Sequence, residues 1–188
     1  MRLSNREAKE FYEIWFKLLR AVNEKHNICP SVTEFVYEKD STEEVSKIAE
    51  YIWTHPESID EVIADNEKVG YNARELAALE AWRNKYVHSE FVIVEHRSNH
   101  TVFMDIQDDM HLYAVHGIFD SLKKIFPPRA LPVLLKTTLL PFKNKIILDG
   151  SLKVGNPEDL EELSDKFLNS YRNAKKSQGT SFTLTDKE

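Results

Sequence analysis

The chain has 188 residues, of which 41% are hydrophobic and 11% aromatic, enough to fill the core of one ordinary domain or of two small lobes. It carries 25 basic and 31 acidic residues, a net charge of −6, which argues against a protein whose whole surface neutralises phosphate. The single cysteine, Cys29, cannot form an intramolecular disulfide, and no apolar run approaches the roughly 20 residues that a membrane helix needs. The N-terminus lacks the apolar core of a signal peptide. We therefore expect a soluble, cytoplasmic protein that makes no membrane contact.

Residues 1–87 are predicted to form a helical region. Ser4 and Glu7 have the spacing of a capping box, and the apolar residues that follow recur at helical intervals. The same spacing of cap and acid recurs in three further pairs: Ser41 with Glu44, Ser58 with Glu61, and Asn72 with Glu75. Each pair predicts the start of a helix.

Residues 88–155 are predicted to form an antiparallel β region with a short helical insert. From His88 onward the apolar residues change to the two-residue period of a strand. A two-residue turn at Ser98 and Asn99 would place Glu95 opposite Val102. One face of this pair of strands would then carry Phe91, Ile93, Val102, Met104 and Ile106.

The segment 139–150 has the pattern of a β-hairpin with a polar tip and a closing Asp149-Gly150 turn. Its apolar residues are consecutive and do not alternate with polar ones, so we expect both faces of the hairpin to be covered. Residues 156–176 predict a C-terminal helix, with Asn156 as the cap and Pro157 in the first turn. Residues 177–188 predict a flexible tail.

Together these elements predict an α+β fold. The helical N-terminal half would pack on a small curved antiparallel sheet or partial barrel, and the C-terminal helix would close the structure. The order of three strands, helical insert and two strands is similar to that of an oligonucleotide-binding barrel.

A basic cluster in the β region is the first candidate for function. If the hairpin tip and the helical insert meet on one side, their cations would form a patch beside an aromatic residue. The candidate residues for partner binding are Lys123, Lys124, Arg129, Phe142, Lys143 and Lys145. We expect a non-enzymatic binding or interaction protein without a cofactor. The net charge favours a protein or peptide partner, and nucleic acid is the alternative. The oligomeric state stays open.

The alternative function is a metal-dependent hydrolase. The chain has no glycine-rich phosphate loop and no nucleophile elbow, but histidines and aspartates are concentrated in the β region. Imidazole and carboxylate groups suit zinc or another divalent metal. The candidate ligands are His88, His96, His100, Asp105, His111 and His116, with Asp108 and Asp109 nearby. At least three of these side chains must converge for this hypothesis to hold.

The hairpin sequence Leu140-Pro141-Phe142-Lys143-Asn144-Lys145-Ile146-Ile147-Leu148-Asp149-Gly150 follows an aromatic-rich helical half. In this setting it resembles a segment found in a family of uncharacterised bacterial proteins. That family has no assigned activity, so the resemblance assigns no role to any residue. It implies a bacterial cytoplasmic protein.

Overall fold

The structure is a computed structural model that describes residues 1–36, 43–156 and 164–186. The helical region contains α1 (Asn5–His26), α2 (Glu43–Thr54), α3 (Glu57–Ala64), α4 (Asn66–Val69) and α5 (Ala73–Lys85). The strands are β1 (Val87–His96), β2 (Thr101–Asp105), β3 (Leu112–His116), β4 (Val133–Phe142), β5 (Lys145–Leu148) and β6 (Lys153–Val154). The insert between β3 and β4 contains α6 (Leu122–Ile125) and a 3₁₀ turn (Pro128–Ala130), and α7 (Ser164–Ser177) is the C-terminal helix. The predicted α+β class is confirmed.

Two of the predicted capping boxes are present. The Ser4 hydroxyl accepts the backbone N–H of Glu7, and the Glu7 carboxylate accepts the backbone N–H of Ser4. Asn72 and Glu75 make the same reciprocal pair at the start of α5. These local contacts satisfy backbone donors that the first helical turn leaves free.

The third predicted box, Ser58 with Glu61, is wrong. The N-cap of α3 is Pro56, two residues before the predicted cap, and Pro56 makes no side-chain cap. Ser58 is instead buried inside the first turn. Proline is favoured at this end of a helix because it has no N–H to satisfy. The fourth box includes Ser41, which lies outside the described residues.

The six strands form one mixed sheet, in which the pairs β1–β2, β2–β3, β1–β4, β4–β5 and β4–β6 are antiparallel. The pair β3–β5 is parallel, which corrects the prediction of a purely antiparallel sheet. Parallel neighbours need a crossover connection, and the insert that carries α6 begins that crossover. The pairings follow a closed circuit, β1–β2–β3–β5–β4–β1.

The β4–β5 hairpin is covered on both faces, as predicted. Leu140, Phe142 and Ile147 belong to the core that the helices α1, α2, α3 and α5 also line. Leu139, Ile146 and Leu148 lie in a second core, enclosed by the sheet itself. Successive residues of a strand point to opposite faces, so one hairpin joins the two cores.

A third core lies between α7 and the outer face of the sheet. Val102, Met104 and Leu112 of β2 and β3 pack there against Phe167 and Ala174 of α7. These three strand residues do not face the enclosed core. The C-terminal helix therefore covers an apolar surface of the sheet that would otherwise meet solvent.

The predicted register of β1 and β2 holds only at the turn. Glu95 does pair with Val102, but an irregularity between Ile93 and Glu95 places Ile93 opposite Phe103. A bulge adds one residue to one strand and so reverses the faces beyond it. Phe91, Ile93 and Phe103 consequently share the enclosed core, whereas Val102 and Met104 face α7.

Part of the predicted tail is packed against the sheet. Ser181 forms a parallel bridge with Tyr113 of β3, and Leu184 is buried in the enclosed core. The helix α7 is described from Ser164, so its predicted cap at Asn156 and Pro157 cannot be placed: residues 157–163 lie outside the described residues.

Candidate functional site

The hairpin tip does not present its lysines freely to a partner. Lys143 forms an ion pair with Glu10, and Lys145 forms one with Glu7 at 2.9 Å; both acids belong to α1. Phe142 is buried, with its ring centroid 5.7 Å from that of Phe11. These three candidate residues therefore hold the hairpin against the helical layer.

The local backbone explains how the tip reaches α1. Lys143 and Asn144 both adopt left-handed conformations, with φ of 45° and 53°, as a two-residue hairpin turn requires. This turn brings Lys145 close to Glu7. The Lys145 ammonium, together with donors of Ser4, lowers the pKa of the Glu7 carboxyl to about 2.

The other three candidate cations lie on the insert. Lys123, Lys124 and Arg129 are exposed, and Lys124 pairs with Asp120 at 2.7 Å within the same segment. None of the three lines the groove beside the hairpin tip. The predicted patch is thus divided, because the tip lysines are engaged by α1 and the insert contributes nothing to that groove.

A groove of about 580 Å³ lies between the hairpin tip, α1, α5 and the C-terminal segment. We call it the hairpin groove. One wall is the tip, from Pro141 to Lys145, and the opposite wall is α5. The C-terminal segment adds Phe182, which is 52% exposed. An exposed aromatic ring at the edge of a groove is typical of contact surfaces.

The groove-lining residues of α5 form one stripe along that helix. Three alanines lie between two cations, in the order Arg74, Ala77, Ala78, Ala81, Lys85. Arg74 makes no ion pair with any described residue, and Lys85 has an exposed partner, Asp186, at 3.6 Å. The helix buries Leu79 and Trp82 on its other side, whereas Ala77 is exposed and the other two alanines are half-buried. Sequence reasoning missed this stripe, although its helical spacing was visible.

The histidines proposed as metal ligands are mostly engaged in separate hydrogen bonds. His96 contacts Thr101 at 2.9 Å and the carbonyl of Phe126 at 2.7 Å. His100 contacts Asn99, at 2.6 Å. His116 is half-buried, and burial lowers its pKa. His96 and His100 therefore bind different partners and not a common ligand.

Three candidate ligands do share a second cleft, of about 460 Å³, which Asp108 also lines. His88 contacts Thr138 at 2.8 Å, Asp105 accepts the Ser89 hydroxyl at 2.7 Å, and His111 contacts Ser181 at 2.7 Å: these are separate partners. Across the described part of the chain, no three histidine, cysteine, aspartate or glutamate residues form a group that could hold a metal ion. The geometry therefore gives the metal-dependent hydrolase no support.

Comparison with known proteins adds no assignment. The chain matches no protein-family model, no curated protein and no solved structure. Within the described ranges, no helix combines the length and apolar character needed to cross a bilayer.

Proposed function

We propose that the chain is a non-enzymatic binding module and that its partner is a protein docked in the hairpin groove. The observation that carries this proposal is the alanine stripe of α5, which lines the groove between Arg74 and Lys85, with Ala77 exposed and the other two alanines half-buried. Small side chains allow another backbone to approach closely, and the exposed Phe182 adds apolar contact area. A cytoplasmic location is part of the proposal, since Cys29 is a buried free thiol.

The occupant that suits this groove is an acidic, amphipathic helix. The groove presents a helix face and a turn, so it suits recognition of a helix in a groove better than strand addition. Arg74 and Lys85 are eleven residues apart, about 16 Å along the axis of α5. Carboxylates at a similar separation on a partner helix would meet both cations while its apolar face covers the alanines.

Nucleic acid is the second candidate partner. Lys123, Lys124 and Arg129 are exposed, and the strand order is similar to that of an oligonucleotide-binding barrel. In such barrels the ligand lies over the second and third strands. Here the outer face of β2 and β3 is apolar and covered by α7, so we favour a protein partner.

The partner can be sought by placing a photo-crosslinking amino acid at Ala77, in the groove, and at Ala64, an exposed alanine of α3 outside it. We expect one defined protein to be crosslinked from Ala77 and not from Ala64. The purified partner should then bind the wild-type chain, and Ala77→Trp should weaken binding at least tenfold while Ala64→Trp does not. Equal crosslinking from both positions would exclude the groove as the docking site.

The chemistry of the occupant has its own test. A helical peptide with glutamates eleven positions apart and a leucine-alanine face should bind at least tenfold more tightly than the same peptide with lysines. Replacing Arg74 and Lys85 by glutamate should reverse this preference, and added salt should weaken both interactions. Preference for a single-stranded oligonucleotide over both peptides would favour the second candidate.

A further inference from the structure

Asp149 is a buried carboxyl group where the helical layer meets the sheet. It is 1% exposed and no described residue forms an ion pair with it. Its carboxylate accepts the indole N–H of Trp53 at 2.7 Å and the backbone N–H of Ser151 at 2.9 Å. The hydroxyl of Thr138 is a further hydrogen-bond partner. Asp149 thereby links α2, through Trp53, with β4 and the end of β5.

Protonation of Asp149 must change these hydrogen bonds. An indole N–H and a backbone N–H can only donate, so Trp53 and Ser151 suit the ionised carboxylate. A protonated carboxyl has a proton to donate, and among these three partners only the Thr138 hydroxyl oxygen can accept it. The Thr138 hydroxyl then has to direct its own proton elsewhere.

The other neighbour of that hydroxyl is His88. Its Nδ1 lies 2.8 Å from the Thr138 oxygen. A hydroxyl carries one proton, so Thr138 donates either to Asp149 or to His88. When Thr138 donates to Asp149, the hydrogen bond between Thr138 and His88 needs its proton on Nδ1 of His88. When Thr138 accepts from Asp149, it donates to Nδ1, and the proton of a neutral imidazole has to be on Nε2.

The Nε2 atom of His88 faces α2. It is buried, has no hydrogen-bond partner among the described residues, and lies 3.6 Å from a carboxylate oxygen of Glu50. A shift of roughly 0.5 Å would bring the two atoms within hydrogen-bonding distance if Nε2 carried a proton. An unprotonated Nε2 would instead place a lone pair against the carboxylate.

We propose that Thr138 couples the protonation of Asp149 to the tautomer of His88, so that the contact between His88 and Glu50 is gained or lost with the proton on Asp149. The junction between α2 and the sheet then has two hydrogen-bonded arrangements. With Asp149 protonated, Asp149 donates to Thr138, Thr138 donates to Nδ1 of His88, and Nε2 of His88 donates to Glu50 of α2. With Asp149 ionised, Nδ1 of His88 donates to Thr138 and Thr138 donates to Asp149. The donation from His88 to Glu50 is then lost.

The burial of Asp149 places this change near neutral pH. Burial raises the pKa of Asp149 to about 7, and the hydrogen bonds that it accepts oppose the rise. The charged groups facing His88 are Glu50 of α2, Lys136 of β4 and Lys153 of β6. Burial is the largest cause of the lowered pKa of His88, which favours the neutral imidazole that has two tautomers.

The test is nitrogen NMR of the histidine rings between pH 5.5 and 8.5, with the resonances of His88 assigned through His88→Gln. We expect the proton of His88 to move from Nε2 to Nδ1 over the range in which the carboxyl carbon of Asp149 titrates. Thr138→Val keeps the side-chain shape and removes the hydroxyl, so the tautomer should no longer follow Asp149.

Asp149→Asn is the second variant, because it removes the group that titrates. His88 should then keep one tautomer at every pH in the range. A His88 tautomer that stays constant in the wild-type protein while Asp149 titrates would overturn the proposal. So would a tautomer that still follows Asp149 in Thr138→Val.

Discussion

The two ends of the β4–β5 hairpin attach it to the helical layer in different ways. At the tip, Lys143 and Lys145 form ion pairs with acids of α1 in partly exposed positions. At the base, Asp149 is buried and faces hydrogen-bond donors, and no cation of the described residues pairs with it. The tip is therefore attached by ion pairs that water screens, and the base by hydrogen bonds to a carboxyl group that is buried away from water.

This difference shows that the number of charges at a contact is a poor guide to its energy. Exposed ion pairs contribute about 0 to 1 kcal/mol, because water competes with them and the long side chains lose freedom. A buried group that loses its hydrogen-bond partner costs about 1 to 3 kcal/mol. We therefore expect the base of the hairpin, with one carboxyl, to affect stability more than the tip with its two lysines.

The largest effect should come from the buried aromatic residue of the tip. Phe142→Ala should lower the free energy of unfolding by about 3 to 5 kcal/mol, since it opens a cavity against Phe11. Urea denaturation measures this loss. Val154→Ala is the control, because Val154 is 63% exposed and its replacement should change stability by less than about 0.5 kcal/mol. A small loss of stability for Phe142→Ala would indicate that Phe142 is a surface residue, available for partner binding.

The next effect is the pH dependence caused by Asp149. Its pKa is 3.8 in a free side chain and about 7 in the fold, so between these values the unfolded chain binds fewer protons than the folded one. Stability should therefore fall as pH rises through this range, by up to about 4 kcal/mol at 1.36 kcal/mol per pKa unit, and change no further above it.

Asp149→Asn isolates this contribution from that of the histidines. Unfolding in urea at pH 4.5 and at pH 8 should show a smaller loss of stability for the variant than for the wild-type chain. An equal loss of stability between pH 4.5 and pH 8 in both proteins would mean that Asp149 does not cause the pH dependence.

A smaller effect of opposite sign is expected at the tip. The pKa of Glu7 is lowered to about 2, so its ion pair with Lys145 stabilises the fold above pH 4.5 and is lost as pH falls through 2. Lys145→Gln should remove no more than about 1 kcal/mol at pH 7 and almost nothing at pH 2. Thermal unfolding at both values measures the difference. If Lys145→Gln lowered the free energy of unfolding as much as Phe142→Ala does, the ion pairs of the tip would not be the weak contacts that we expect.

The smallest effect should come from the insert. Replacing both Lys123 and Lys124 by glutamate should change stability by less than about 0.5 kcal/mol, since both side chains are exposed and, within the described ranges, only Lys124 has an ion-pair partner, Asp120. The protein partner should still bind in the hairpin groove. Weakened binding of that partner would place the docking surface on the insert.

Local features were well predicted because their causes lie within a few residues. The capping boxes at Ser4 and Asn72 depend on groups three residues apart, and the change of period after the helical region marks the start of β1. The consecutive apolar residues of the hairpin also indicated coverage of both faces. A single bulge after Ile93 was enough to reverse the predicted faces of β2, because no local signal marks the extra residue.

The candidate site was predicted only in part. Phe142, Lys143 and Lys145 do lie at the hairpin groove, but their contacts with α1 join residues more than 130 positions apart. No spacing in the sequence relates Lys143 to Glu10. The alanine stripe of α5 became a candidate only when the fold placed the hairpin tip beside it.

The sequence by itself determined the elements: which segments are helical or extended, and that the hairpin has two apolar faces. These follow from periodicity and from contacts between near neighbours. Only the tertiary structure decided which lysines are paired, which face α7 covers, and that Asp149 is enclosed between Trp53 and Thr138. Charges and polar groups act through distance and exclusion of water, and both are properties of the folded chain.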